Sequence, residues 1–236
     1  MTYQNPKYPL FADMSGQKVF VIGAGNVAER KIETLVRYGA KVNVIAPEAT
    51  ARIHELVEEG SVVYEQRAYC PGDLKDAFLV ICATDNQALN AQVFEEAKSH
   101  GRLVNVVDAP ELCNFYVPSI VARGPLQIAI STSGAAPTVA KKLRRELSER
   151  YGEEWGTYVS LLGELRALVL ERVPGGEEEH KPIFSMLAAS DLYERVAAGE
   201  TLDIEGLYEE LVVPFGETVT TSSEKPNTYE RAGVSL

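Results

Sequence analysis

The chain has 236 residues, 45% of them hydrophobic, enough for one large domain or two smaller ones with proper cores. No run of about 18 apolar residues occurs, so no transmembrane helix is expected, and residues 1–13, with Pro6 and Pro9, do not read as a signal peptide. The net charge of −11 argues against a nucleic-acid partner and is concentrated in residues 174–236, where 13 acidic side chains stand against 4 basic ones.

Residues 17 to about 107 alternate strand and helix patterns, which predicts an α/β fold built on a Rossmann-type, doubly wound parallel sheet. Lys18–Ile22 reads as the first strand. Asn26–Tyr38 reads as a helix with Val27, Ile32, Leu35 and Val36 apolar and Gly39 as its stop. Lys41–Ala46 is the second strand, Glu48–Glu59 a helix stopped by Gly60, and Ser61–Glu65 the third strand. Phe78–Ala83 is a continuous apolar run, as in a strand buried on both faces. Asn86–His100 is a helix and Leu103–Val107 the fifth strand.

The pattern then changes. Phe115–Val121 and Leu126–Ser131 read as two strands joined through Ala122-Arg123-Gly124-Pro125, followed by a polar turn from Ser131 to Ala136. Pro137 opens a basic helix, Thr138–Tyr151, and Trp155–Arg172 is a helix broken by Pro174-Gly-Gly176. Pro182–Ala198 and Ile204–Val212 read as shorter helices, and Thr218–Leu236 as a mobile polar tail. The expected organisation is a nucleotide domain over residues 1–113, a strand-rich segment over 114–150, a helical C-terminal domain over 151–217 and the tail over 218–236.

The first strand ends in a G-x-G-x-x-A pattern, Gly23, Gly25 and Ala28, with a helix directly after it. A dinucleotide pyrophosphate needs this order: Gly23 for the tight turn, Gly25 for close backbone approach to the phosphates, Ala28 for close helix–strand packing, and a helix N-terminus facing the anion. The second strand ends at Pro47-Glu48 without the usual terminal acid, and no Arg or Lys lies between Val42 and Ala51 to receive a 2′-phosphate, which favours NAD over NADP. Two readings stand for Glu48: a ribose contact, or a first-turn helix residue complementing the macrodipole. The fourth-strand exit, Cys82, Ala83, Thr84 and Asp85, is expected along the cofactor.

Asp108 closes the fifth strand, where a carboxylate faces the ligand crevice as a general base, or else caps the turn before Pro110. Asn105 either orients the ligands or makes a structural hydrogen bond. The polar turn, Ser131, Thr132, Ser133 and Gly134, together with Lys141 on the basic helix, forms a candidate carboxylate-binding corner; the alternative is a solvated helix face. His54, His100 and His180 are scattered and read as surface positions, with no His-rich metal site. Cys70, Cys82 and Cys113 read as buried thiols of a cytoplasmic protein.

Taken as a set, residues 21–31 (VIGAGNVAERK), 83–85 (ATD), 105–110 (NVVDAP), 118–120 (PSI) and 131–137 (STSGAAP) resemble the precorrin-2 dehydrogenase/sirohydrochlorin ferrochelatase family, the N-terminal module of siroheme synthase, over about residues 8–170. The resemblance implies NAD-dependent oxidation of precorrin-2 to sirohydrochlorin and, in some members, insertion of Fe2+ as a substrate. It implies a homodimer with a small strand-rich dimerisation segment and a helical C-terminal domain. The family's catalytic aspartate falls on Asp108, and its cofactor contacts fall on the glycine turn, including Asn26 and Val27, and on Pro47 and Glu48. An octacarboxylate tetrapyrrole suits a basic corner near residues 123–145 despite the acidic total. A serine phosphorylated in some fused members falls on Thr132, and the methyltransferase domain of those members has no counterpart here, so methylation is expected from a separate protein. No metal ligands are assigned. The reading from a different class is a regulatory module that binds NAD or a tetrapyrrole without turnover.

Overall fold

The computed structural model describes residues 7–215. Their contacts divide into two units, one running to Pro118 with Ser131–Thr138, the other comprising Ser119–Ile130 and the chain from Val139 onward. The expected tail, 218–236, lies outside the described residues.

In the first unit five strands, β1 (Lys18–Ile22), β2 (Lys41–Ala46), β3 (Val62–Gln66), β4 (Leu79–Cys82) and β5 (Leu103–Val106), form one parallel sheet in the order β3-β2-β1-β4-β5. The apolar runs explain this. Val19, Val21 and Ile22 of β1 and all of β4 are buried, as central strands covered on both faces require. One face packs on α1 (Asn26–Arg37) and α2 (Ala51–Glu58) through Ala28, Ile32, Ile53 and Leu56; the other packs on α3 (Gln87–Ser99) through Val93 and Ala97. Each large side chain so removed from water contributes about 1.5–3 kcal/mol against chain entropy.

Three local features of this unit have physical causes. The second helix begins at Ala51 because Thr50 caps it, its hydroxyl accepting from the Ile53 N–H at 3.4 Å. Glu48 therefore precedes the helix, and its first-turn reading is corrected. Between β3 and β4 no helix forms. Arg67 holds Asp73 at 2.7 Å, and the Glu96 carboxylate of α3 accepts from the Gly72 and Leu74 N–H groups, each at 2.9 Å, and from the Tyr69 hydroxyl. The sixth strand starts late because residues 113–115 are spent on β5: Asn114 exchanges hydrogen bonds with Val104 at 3.0 and 2.7 Å.

In the second unit β6 (Ser119–Arg123) and β7 (Leu126–Ile130) form an antiparallel hairpin. It is grouped with the helices rather than standing as a separate segment. Gly156, without a side chain, lets α5 (Glu154–Arg172) meet the Arg123 backbone, which a Cβ there would approach at 2.9 Å. Arg123 itself donates to the Tyr151 and Ser148 carbonyls at 3.0 and 3.2 Å, closing the C-terminal end of α4 (Pro137–Arg150).

The remaining helices are α6 (Glu177–Ala189), α7 (Leu192–Ala197) and α8 (Ile204–Leu207), with a π turn at Tyr208–Val212. Pro182 was expected to start a helix; it lies inside α6. Its missing N–H is offset by an acidic first turn, Glu177 to Glu179, and by Glu179 accepting from the Gly176 N–H at 2.7 Å. His180 is buried, not a surface residue, and donates to the Val173 carbonyl at 2.9 Å. The expected helix through Ala198 breaks at Ser190, whose hydroxyl bonds to the Leu187 carbonyl at 2.7 Å. Leu165, Val169, Ile183, Leu187, Leu192 and Leu207 form this unit's core. Of the cysteines only Cys82 is buried; Cys70 is exposed and Cys113 half-buried. Among the described residues no helix is long and apolar enough to cross a membrane.

Burial raises the Glu96 carboxyl pKa, but hydrogen bonds from Tyr69, Gly72 and Leu74 more than offset this and hold it below the usual value. A depressed carboxyl contributes stability above its unfolded pKa of about 4.3 and loses it as the pH falls through the folded value. Glu96→Gln is therefore expected to lower stability at pH 7, and urea titrations should show its gap from wild type narrowing below about pH 4.

Candidate functional site

The sheet reverses its winding between β1 and β4, and the loops leaving these two strands part there to open a crevice. The hydrogen bonds at this carboxyl edge run across four strands. Gly23 N–H donates to Ile45 at 3.0 Å, Ala83 N–H to Ile22 at 2.8 Å, and Val107 N–H to Cys82 at 2.9 Å. Gly23 has φ +99°, and a Cβ there would collide with the Ala83 carbonyl.

Gly25 differs. Its φ of −84° suits any residue, and a Cβ there would meet nothing within 4 Å. Open space at Gly25 lets a ligand come against the backbone. It also caps α1 without a side chain, leaving the first-turn N–H groups of that helix free of side-chain partners. Glu29, the acid in that turn, is turned aside: the Thr50 hydroxyl donates to Glu29 Oε2 at 2.6 Å.

Gly25, Asn26, Val27, Ala83, Thr84 and Asp108 line one cleft of 710 Å³. Asp85, at the fourth-strand exit that the sequence places along the cofactor, lines it too, as do Gln87, Asn90 and Glu111, which the sequence did not single out. Val27, expected in the apolar stripe of α1, is 49% exposed and faces this cleft. Asn90, itself buried, accepts from Thr84 Oγ1 at 2.6 Å and donates to the Thr84 carbonyl at 3.0 Å, so it fixes the fourth-strand exit. A buried Asn one turn into a helix was the only available sequence signal for it. Cys82, beneath, accompanies it at 3.1 Å, and burial pushes the thiol up to about 12.

Asp108 is exposed in the cleft with φ 58°, left-handed backbone that Asp tolerates better than most residues. Among the described residues its carboxylate makes no hydrogen bond or ion pair. The short 3₁₀ turn at Pro110–Leu112 has Ala109 as its cap and no side-chain bond, so the turn-capping alternative does not hold. Lys31, one helical turn beyond Val27, is half-buried. Burial lowers its pKa, while the nearby Asp108 and Cys113 work against that shift. It is the cation that sequence reading missed.

The other expected contacts fall elsewhere. Ala28 is fully buried and packs α1 on the sheet. Pro47 and Glu48 are exposed at the second-strand exit, outside the cleft lining. Asn105 does not reach the cleft: its Nδ2 donates to the Phe115 carbonyl at 3.1 Å, the structural alternative. In the polar turn Ser131 Oγ accepts from Ser133 N–H at 3.0 Å and Thr132 Oγ1 from Ala136 N–H at 3.2 Å, so those hydroxyls hold the turn itself. Ser133 has φ 52° beside Gly134 at 81°. This turn belongs to the first unit and exposed Lys141 to the second. Arg123, in the expected basic corner, is spent on α4. Among the described residues no three His, Cys, Asp or Glu side chains are grouped to hold a metal.

The sheet order, the glycine turn and the crevice define a Rossmann-type dinucleotide-binding protein. A family model described as putative NAD(P)-binding matches residues 10–119, and one described as sirohaem biosynthesis protein central matches residues 123–150. Two relatives named siroheme synthase, from Nitrosococcus oceani and Pseudomonas paraeruginosa, are 34% and 37% identical over 85% and 86% of this chain. The chain spans 43% of the length of each. A solved structure titled SirC, precorrin-2 dehydrogenase, is 29% identical with a TM-score of 0.70, covering 80% of this chain and 92% of that one. The chain belongs to the precorrin-2 dehydrogenase/sirohydrochlorin ferrochelatase family, that of the N-terminal module of siroheme synthase.

The two glycines should separate on substitution. Gly23→Ala is expected to destabilise the fold by several kcal/mol, read as a lower midpoint in thermal melting. Gly25→Asp should melt like wild type yet lose NAD binding in calorimetry, because it places a carboxylate where the pyrophosphate approaches.

Proposed function

We propose that this chain oxidises precorrin-2 to sirohydrochlorin with NAD. The observation that carries the reading is the free Asp108 carboxylate in the same cleft as the glycine turn and the exposed start of α1. The match to a protein titled precorrin-2 dehydrogenase over most of both chains supports it. Gly25 and the exposed start of α1 would hold NAD here, and its nicotinamide would supply the hydride acceptor. The substrate must also lose a proton, and Asp108, unpaired at the end of β5, takes it or orients the macrocycle. Lys31, held half-buried on the Val27 face of α1, supplies positive charge on the Asp108 side of the cleft, which suits a substrate bearing carboxylates. The polar turn at Ser131–Gly134, with Gly134 in open space, is the proposed second contact for those carboxylates.

The relatives named siroheme synthase favour a second activity of the same reading, insertion of Fe2+ into sirohydrochlorin, with the metal as substrate. The working form is a cytoplasmic homodimer that takes its substrate from a methyltransferase reaction.

Anaerobic incubation with precorrin-2 and NAD tests the reading, with absorbance following NADH and sirohydrochlorin together. Stoichiometric appearance of both is expected, and metal uptake above the uncatalysed rate on adding Fe2+ would add the chelatase. Retained tight binding without turnover would move the chain to the regulatory reading. Asp108→Asn is expected to keep NAD affinity and lose turnover by about 10²-fold or more. Wild-type turnover in that variant would remove Asp108 from the chemistry. Light scattering at micromolar protein should give twice the chain mass.

A further inference from the structure

The exit of β2 carries an arrangement that the proposed reaction does not use. The start of α2 lies against the glycine turn, its Thr50 N–H donating to the Ala24 carbonyl at 3.1 Å. Two residues on stands Arg52, the only Arg or Lys between Lys41 and Arg67. It is therefore the one cation on this stretch of chain that a 2′-phosphate at the second-strand exit could recruit, and it lies just past the segment that sequence reading found free of cations.

Arg52 is already taken. Its Nε donates to Glu33 Oε1 of α1 at 3.0 Å, and its Nη1 donates to Glu55 Oε2 of α2 at 2.9 Å and to Oε1 of Glu59, which caps that helix, at 3.1 Å. Three carboxylates around one guanidinium leave a net negative group, and exposed Glu48 adds another acid at the strand end. Pairs this exposed contribute little to stability, so anchoring the helices is a weak reason for three of them to converge on one side chain. Arg recognises phosphate through a free planar fork, and here both Nε and Nη1 are committed to carboxylates.

We propose that Glu33, Glu55 and Glu59, by holding Arg52, set the selectivity of this chain for NAD over NADP. They withhold the guanidinium that a 2′-phosphate would need and leave the group around it net negative. The inference rests on the reading of the glycine turn as a dinucleotide site.

Calorimetric titration with NAD+ and with NADP+ tests it through binding alone. Wild type should bind NAD+ and discriminate against NADP+. The triple variant Glu33→Gln, Glu55→Gln, Glu59→Gln should tighten NADP+ by about tenfold and leave NAD+ within about twofold, and adding Arg52→Gln should erase the gain. Glu55→Gln with Glu59→Gln, both exposed, should move NADP+ in the same direction if the triple variant does not fold. Equal wild-type affinity for the two nucleotides, an unchanged NADP+ constant in the variants, or a gain that survives Arg52→Gln would overturn the inference. If wild type binds neither nucleotide, the dinucleotide reading itself falls, an outcome distinct from selective binding that the substitutions leave unmoved.

Discussion

The close approach of the β1 and β4 exits governs the first unit. Gly23 turns at positive φ against the Ala83 carbonyl, with no room for a side chain, while its N–H bonds to Ile45 and the Ala83 N–H bonds to Ile22. These bonds tie β2, β1 and β4 together at their carboxyl ends, where the winding of the sheet reverses. Everything that lines the cleft is placed from this point. α1 can start in the crevice only because the chain turns so sharply, and Thr84 keeps its position only because buried Asn90 spends both ends of its amide on it. The contact is backbone to backbone, so it demands glycine at one position and sets little requirement elsewhere.

Asp108 illustrates how a site can be held without being anchored. Its backbone occupies left-handed space, costing about 1–2 kcal/mol, and its carboxylate returns none of that through a bond to the protein. The neighbouring segment compensates. Asn105 bonds to Phe115, Asn114 to Val104, and Cys113 accepts from the Val106 N–H at 3.3 Å, so the stretch after β5 is fastened on either side of the aspartate. A carboxylate left unpaired in a cleft suits a reaction in which it must gain or guide a proton, the role given to it in the proposed oxidation.

What the sequence made legible was whatever depends on local pattern. Apolar runs marked the parallel strands, and Gly23, Gly25 and Ala28 marked the turn, because strand burial and phosphate approach impose residue types at fixed spacing. What it hid depends on partners distant in the chain. Glu48 looked like a helix residue until the Thr50 cap placed the helix start later. Pro182 looked like a helix start because its cost is visible locally, whereas the acidic turn before it that offsets that cost is a collective effect. His180 gave no sign of burial, since its partner is a backbone carbonyl. Arg123 looked available for a ligand, but the carbonyls it serves lie 25 and 28 residues on. Lys31 sits in an ordinary amphipathic pattern, and only the fold brings it toward Asp108.

The charge of the chain follows the same logic. An acidic protein proposed to bind a polycarboxylate substrate and a pyrophosphate must keep its own carboxylates away from both. It does so by giving them partners: Glu29 to the Thr50 hydroxyl, Glu96 to Tyr69 and two backbone N–H groups, and Glu33, Glu55 and Glu59 to Arg52. The net charge therefore says little about what the cleft attracts. Local pairing decides it, and the second-strand exit, where three carboxylates share a single guanidinium, is where the pairing leaves an excess of negative charge that a second phosphate would meet.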